Sequence, residues 1–407
     1  MKFISLLLSL LLTSPAFSQE TTQDIVIGKF HTIHSKILGE DKDIWLYVPP
    51  HGRSIDFEAP KFPVVYLLDG EDHFESMLAS LKKRCNSDLD AFCPQMILVG
   101  VTHNDRGREL SPTKSAGLMP PHTVNENGGG GEEFTAYLEK ELIPYIDANY
   151  PTSPYRTLIG HSLGGLLVMN TMMHHNHLFN AYVSIDPSMW WDNERLLKQI
   201  QTGLKTGNFD KSKLYLAIAN SMPAGMSLTQ AKRDKSLDTK VIRSILSLSK
   251  SLASNTKMHA KSKFYVRENH GSVTFLAQDD ALRFVFDFYR LPNDLAYFKE
   301  EFDGIPSLQA HFKKVSLTLG YQVLPPGDLL NGLGRRFLAR GAFAKAFYYF
   351  DFNLKNYPNS PHAMDSMGDY YLAIGNKIRA IELFKQAISL GAHPIVQKKL
   401  DQLLIEN

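Results

Sequence analysis

Residues 155–166 read Tyr155-Arg156-Thr157-Leu158-Ile159-Gly160-His161-Ser162-Leu163-Gly164-Gly165-Leu166. An apolar strand end, a tight turn and a helix start follow one another here with no spacer. Gly160, Ser162 and Gly164 fit the pattern G-x-S-x-G, a turn so sharp that its central serine takes strained backbone angles. Glycines two positions either side let strand and helix pass without a side-chain clash. The Ser162 hydroxyl then stands at a helix N-terminus, where the Leu163 N–H can help stabilise an oxyanion. Leu166-Leu167-Val168-Met169 opens a buried helix after the turn. A chain built around such a turn needs a strand before it, a helix after it and more of both around them.

The flanking sequence supplies them. Strand-like runs fall at residues 29–37, 43–48, 62–68, 96–101, 157–159, 181–185, 214–219 and 264–266, the first two reading as an antiparallel pair. Helix-like runs fall at 132–150, 164–175, 194–206 and 239–254; Phe134, Leu138, Leu142 and Ile146 mark the apolar face of the first. This alternation predicts an α/β fold, a mainly parallel sheet with helices on both faces, with ligands bound beyond the carboxyl ends of the strands. Ser162 lies at such an end.

Met1-Lys2-Phe3, an apolar run to Leu12 and the small residues of Ser14-Pro15-Ala16-Phe17-Ser18 predict a signal peptide over 1–18, too short to span a membrane. The expectation is an exported protein, periplasmic or secreted, with no membrane span. The net charge of +2, with no polybasic block, argues against nucleic acid or a membrane surface as partner. The two cysteines, Cys85 and Cys93, can form a local disulfide or remain buried thiols; connectivity does not follow from sequence.

A serine alcohol needs a base to take its proton. His270, between the last strand-like run and Gly271-Ser272-Val273, sits where that base belongs in the order serine, acid, histidine. A second oxyanion donor is expected after the strand at 62–68, and the backbone amides of Gly70 and Glu71 are the candidates. Five segments then carry a resemblance: Leu67-Leu68-Asp69-Gly70, Asn104-Asp105-Arg106-Gly107-Arg108-Glu109-Leu110, Gly160 to Gly165, Asp186-Pro187-Ser188-Met189-Trp190-Trp191 and Asn269-His270-Gly271-Ser272-Val273. Together, over residues 25–290, they resemble the esterase family of α/β-hydrolases, most of all its siderophore-esterase-like (esterase D-like) branch. The resemblance implies Ser162 as nucleophile, His270 as base, a pocket wall at Trp190 and Trp191, and no metal or organic cofactor. The family's acid usually follows the strand here at 214–219, but the loop after it holds no carboxylate. Asp234 is the first available and is the candidate acid; Asp238, Glu268 or a Ser–His pair alone are the alternatives.

Arg106 is a candidate substrate-binding residue, for a carboxylate or other anionic group, and Arg108 a second. An internal pair with Glu109 is the alternative. The Pro/Gly/Ser-rich stretch 111–131 is long enough to act as a lid. After Arg290 the character changes. Residues 291–328 read as a linker with one helix near 307–320. From 329 to 405 five residue pairs recur at 34-residue spacing: Gly334 and Gly368, Leu338 and Leu372, Gly341 and Gly375, Ala346 and Ala380, Phe350 and Phe384. That is the tetratricopeptide period, so two helical hairpins are expected, packed on the catalytic domain, on the 307–320 helix or on another subunit. The functional expectation is an exported serine esterase acting on a small-molecule ester, of aromatic or siderophore type. The alternative is an inactive hydrolase-fold scaffold that binds a protein partner, or itself, through the repeats.

Overall fold

Apolar residues run almost without break through the middle strands, which is what a sheet covered on both faces requires. The computed structural model describes residues 24, 26–50, 61–85, 91–115, 128–207, 209, 212–291 and 294–405. The expected signal peptide over 1–18 and most of the expected lid, 116–127, lie outside them. The sheet has eight strands: β1 (Lys29–Ser35), β2 (Glu40–Tyr47), β3 (Phe62–Leu68), β4 (Ile97–Val101), β5 (Thr152–His161), β6 (Ala181–Ile185), β7 (Lys213–Ala219) and β8 (His259–Tyr265). Their order is β1-β2-β4-β3-β5-β6-β7-β8. β1 and β2 pair antiparallel, β2 joins β4 antiparallel, and every other pairing is parallel.

The two-residue alternation of a strand divides the core. Val65, Leu67, Ile159, Val183, Tyr215 and Ala217 point to one face, while Val64, Tyr66, Leu68, Leu158, Tyr182 and Leu216 point to the other. β8 begins five residues earlier than the apolar run at 264–266 suggests. As the edge strand it exposes His259, Lys261 and Lys263 alternately, and lysines on an edge discourage pairing with another chain. The apolar end alone is legible; the charged part is not.

The helices are α1 (Gly70–Cys85), α2 (Arg106–Glu109), α3 (Gly131–Tyr137), α4 (Ile143–Asn149), α5 (Leu163–His174), α6 (Trp191–Thr206), α7 (Leu228–Arg233), α8 (Lys240–Ala253), α9 (Val273–Val285), α10 (Gly304–Leu319), α11 (Gly327–Leu338), α12 (Phe343–Asn356), α13 (Pro361–Ala373), α14 (Lys377–Ser389) and α15 (Pro394–Ile405). A π-helical turn, Leu138–Leu142, links α3 to α4, so the one helix expected over 132–150 is continuous but carries an extra residue in one turn. Cys85, at the end of α1, is disulfide-bonded to Cys93, which settles the alternative the sequence leaves open.

The C-terminal helices pair as α11 with α12 and α13 with α14. A methyl group on Gly334 would lie 2.4 Å from the ring of Phe350, and one on Gly368 would lie 2.5 Å from the ring of Phe384. The recurrent glycine and phenylalanine therefore touch across each pair, with the same geometry 34 residues apart. α10 mediates between these pairs and the sheet. Ile305, Leu308, Phe312, Val315 and Leu319 of α10 share one apolar cluster with Tyr155 of β5 and Phe286, and with Leu330, Phe337 and Phe350 of the first pair.

Candidate active site

β5 ends at His161, and α5 begins at Leu163 with Ser162 as its N-cap, at φ 59° and ψ −115°. The space around the turn explains the glycines. A methyl group on Gly160 would fall 2.4 Å from the backbone of Gly164, and one on Gly165 would lie 3.1 Å from Ile185 O and from Pro187. Helix and strand therefore cross where only hydrogen fits.

The turn after β6 braces the serine. The Ser162 N–H donates to Ile185 O, and the Ser188 N–H donates to Ser162 O, each at 3.0 Å. Ser184 Oγ donates to Gly165 O at 3.0 Å, and Ser188 Oγ lies 3.4 Å from Ser162 Oγ. Asp186, in the same turn, has φ 40° and a wholly buried side chain. Its Oδ1 accepts from the Ala219 N–H at 2.8 Å. Its Oδ2 accepts from Ser221 Oγ at 3.2 Å and from His270 Nδ1 at 2.6 Å. A carboxylate only accepts, so the His270 proton sits on Nδ1 and Nε2 is left as the acceptor. That is the tautomer a general base beside a serine needs.

The carboxylate that meets His270 is thus Asp186. The expectation for Asp234 is corrected: it lies at the end of α7, where its Oδ2 accepts from Thr239 Oγ1 at 2.6 Å and from the Ser236 hydroxyl. Those hydroxyls hold its carboxyl below the usual range, as they would for any capping aspartate. Glu268 accepts from Ser272 Oγ at 2.7 Å, and Asp238 is exposed. Asp186 follows directly on the apolar run at 181–185, the one local signal that could have found it.

Gly70 and Glu71 open α1, directly after β3, and amides in the first turn of a helix have no acceptor inside it. A methyl on Gly70 would lie 2.6 Å from the Gly100 backbone, and one on Gly164 would lie 3.1 Å from Asp69 Oδ2. The β3–α1 turn therefore abuts the serine turn, and Leu163 begins the facing helix. Asp69, with φ 53°, receives Arg106 in a two-pronged pair, Nε to Oδ1 at 2.6 Å and Nη2 to Oδ2 at 2.9 Å. Arg106 Nη2 also reaches His161 O at 3.3 Å. The candidate substrate-binding arginine is thus engaged as a tie between the two turns, and Arg108 is held by Glu40 and Glu109 at 3.0 and 3.4 Å.

A buried chain of hydrogen bonds supports this tie. The Asp69 N–H donates to His103 Nε2 at 3.2 Å, which places the His103 proton on Nδ1, 3.0 Å from Glu109 Oε2. Glu109 also accepts from the fully buried Lys42 at 2.8 Å. Burial alone would raise Glu109; its bonds from His103 and Lys42 outweigh burial and hold its carboxyl down at about 2.

Trp190 and Trp191, the residues expected in a pocket wall, follow the turn after β6. Trp191 begins α6 with Trp190 as its N-cap, and both are buried, Trp190 8% and Trp191 2% exposed. Trp191 Nε1 donates to Thr113 O at 2.9 Å. Trp191 also lines a cavity of about 160 Å³ with Thr113, Asn170, His174 and Arg195, along the flank of α5 rather than at Ser162.

Residues 35–271 match the family model described as "Putative esterase". Among curated proteins, the chain is 25% identical over 236 residues to the ferri-bacillibactin esterase BesA of Bacillus subtilis, covering 55% of this chain and 78% of that one. It is 25% identical over 172 residues to the siderophore triacetylfusarinine C esterase of Aspergillus fumigatus, covering 41% and 58%. Against another curated relative it spans 57% of the length. Its fold is similar to a crystal structure of an IroE-like serine hydrolase from Shewanella oneidensis, at TM-score 0.64 and 24% identity, over 81% of this chain and 99% of that one.

Proposed function

Because the chain belongs to the Esterase family, we propose that it is a serine hydrolase that cleaves carboxylic esters through a Ser162 acyl-enzyme. The observation that carries this reading is the 2.6 Å bond from His270 Nδ1 to the buried Asp186, beside a serine held at strained backbone angles. In the proposed mechanism Ser162 Oγ attacks the ester carbonyl while His270 Nε2 takes its proton. Asp186 fixes the tautomer and stabilises the imidazolium. The amides of Leu163, Gly70 and Glu71 receive the oxyanion. His270 returns the proton to the leaving alcohol, and a water then repeats the sequence in reverse roles to release the acid. Arg106 serves this reaction by joining the two oxyanion-bearing turns.

The substrate class we assign is a bulky ester of siderophore type. It rests on the relatives named as esterases of ferri-bacillibactin and triacetylfusarinine C; the buried tryptophans do not add to it. Export through the expected signal peptide is supported by the Cys85–Cys93 disulfide, since such bonds persist in oxidising compartments. The paired C-terminal helices, read as two tetratricopeptide-type hairpins, complete the hydrolase core and offer a surface for a protein partner or a second copy.

The test is twofold. A fluorophosphonate probe is expected to label Ser162, and Ser162→Ala, His270→Ala and their combination are expected to lose activity to similar extents, as residues acting as a unit do. Relative kcat/KM is then measured for catecholate triesters, hydroxamate triesters, aryl esters and long-chain acyl esters. Turnover by Ser162→Ala would reject the mechanism, and a preference for long acyl chains would reject the substrate class.

A further inference from the structure

The residue before the serine is bonded to the residue proposed as base. His161 Nε2 lies 2.8 Å from the backbone oxygen of His270; a carbonyl only accepts, so Nε2 carries the proton and donates. The two rings lie 4.5 Å apart between centroids, and His73 meets His161 edge-on at 5.6 Å. The loop carrying His270 is braced within itself, the Gly271 and Ser272 N–H groups donating to Asn269 Oδ1 at 3.0 Å and Ser272 Oγ to Glu268 at 2.7 Å, but its described ties to the rest of the molecule are few. Asn220 donates to Glu268 O at 2.7 Å and to Val266 O at 2.9 Å, and Asp186 takes the His270 side chain. Nothing else described ties the backbone of His270 itself to the nucleophile strand.

We infer that His161 is a positioning residue: its side chain fixes the His270 main chain to the serine turn and so sets the distance between nucleophile and base. This rests on the reading of Ser162 and His270 proposed above. The arrangement joins the two groups through one side chain. Serine and His161 are adjacent along the backbone, and His161 reaches across to His270. Sub-ångström control of that gap matters because a reacting pair displaced by about 1 Å can lose roughly a hundredfold in rate. The neighbourhood also favours a neutral His161. Burial first, then the adjacent His270 and His73, hold its imidazole down at about 4, so a proton taken from Ser162 has no competing acceptor in the ring beside His270.

Two variants separate bonding from packing. His161→Phe keeps a ring against His270 and His73 but donates nothing. His161→Gln places an amide Nε2–H the same number of bonds from the backbone. In full-length protein, His161→Phe is expected to lower kcat by about 10–100-fold with KM changed by less than about twofold, and His161→Gln to recover most of the loss. Hydrogen–deuterium exchange of the 266–272 segment is measured in parallel, with thermal melts to verify folding. It is expected to quicken in His161→Phe and return to normal in His161→Gln. Unchanged exchange and kcat in folded His161→Phe would overturn the inference, as would failure of His161→Gln to restore either quantity. If the native protein shows no Ser162-dependent turnover yet exchange follows the expected pattern, the catalytic reading fails and the positioning stands.

Discussion

Replacing Asp186 by asparagine tests the site at its least exposed point. The side chain is wholly buried and receives three donors: the Ala219 N–H, Ser221 Oγ and His270 Nδ1. An amide has one oxygen to offer. The Ala219 N–H is a main-chain donor with no freedom to turn away, so the asparagine oxygen faces it and the NH₂ faces His270. Nδ1 must then accept, its proton moves to Nε2, and the ring can no longer take the proton of Ser162. A wrong tautomer of this kind costs roughly 10³–10⁴ in kcat, or about 4–5.5 kcal/mol of transition-state stabilisation. The assay is kcat on a soluble aryl ester together with the rate of fluorophosphonate labelling, with Asp234→Asn run alongside. Asp234→Asn is expected to stay within about threefold of the native enzyme, because its carboxylate only caps a turn. A loss below about tenfold in Asp186→Asn would refute the argument, and a severe loss in Asp234→Asn would point to a different closed form of the site.

Two further outcomes follow. Gly334→Ala and Gly368→Ala each force a methyl into a phenylalanine ring at 2.4 and 2.5 Å; overpacking of this order costs about 1–3 kcal/mol, which denaturant melts will register, with wild-type-like stability counting against the packing described. The low pKa of His161, about 4 against an ordinary 6.5, means that the folded protein binds fewer protons than the unfolded chain between those values. Its contribution is present above about pH 6.5 and is lost as pH falls towards 4. The stability difference between pH 7 and pH 4.5 is therefore expected to be smaller in His161→Phe than in the native protein, and equal differences would show that the ring titrates normally.

What could be read from the sequence follows from how local each signal is. The serine turn is legible because sterics fix its glycines within five residues, and His270 because it follows the last strand. Most strands announce themselves by apolar runs, since a doubly covered sheet has no polar face; β8 hides its start because an edge strand alternates with lysines. Asp186 is harder. Its role depends on β6 lying beside β5, and on a backbone angle no residue type advertises; the expected place after β7 drew attention away to Asp234. Arg106 is hard to read for a related reason. An arginine near a site reads as free for substrate until its partner, Asp69, 37 residues earlier in the chain, is known. The disulfide is legible only as a possibility, because sequence spacing permits the bond without requiring it.

The apolar cluster that runs from Tyr155 and Phe286 through α10 into the paired helices has a consequence for how the molecule is made. A chain synthesised from its N-terminus finishes β8 and α9 before α10 exists. Until the C-terminal helices emerge, that side of the nascent sheet presents uncovered aromatic and aliphatic surface, the kind of surface that chaperones hold and that aggregates when they do not. A ribosome that stops early releases a product carrying the whole serine site but lacking its cover. A molecule cut before α10 is therefore expected to be lost to aggregation before its chemistry is ever tested.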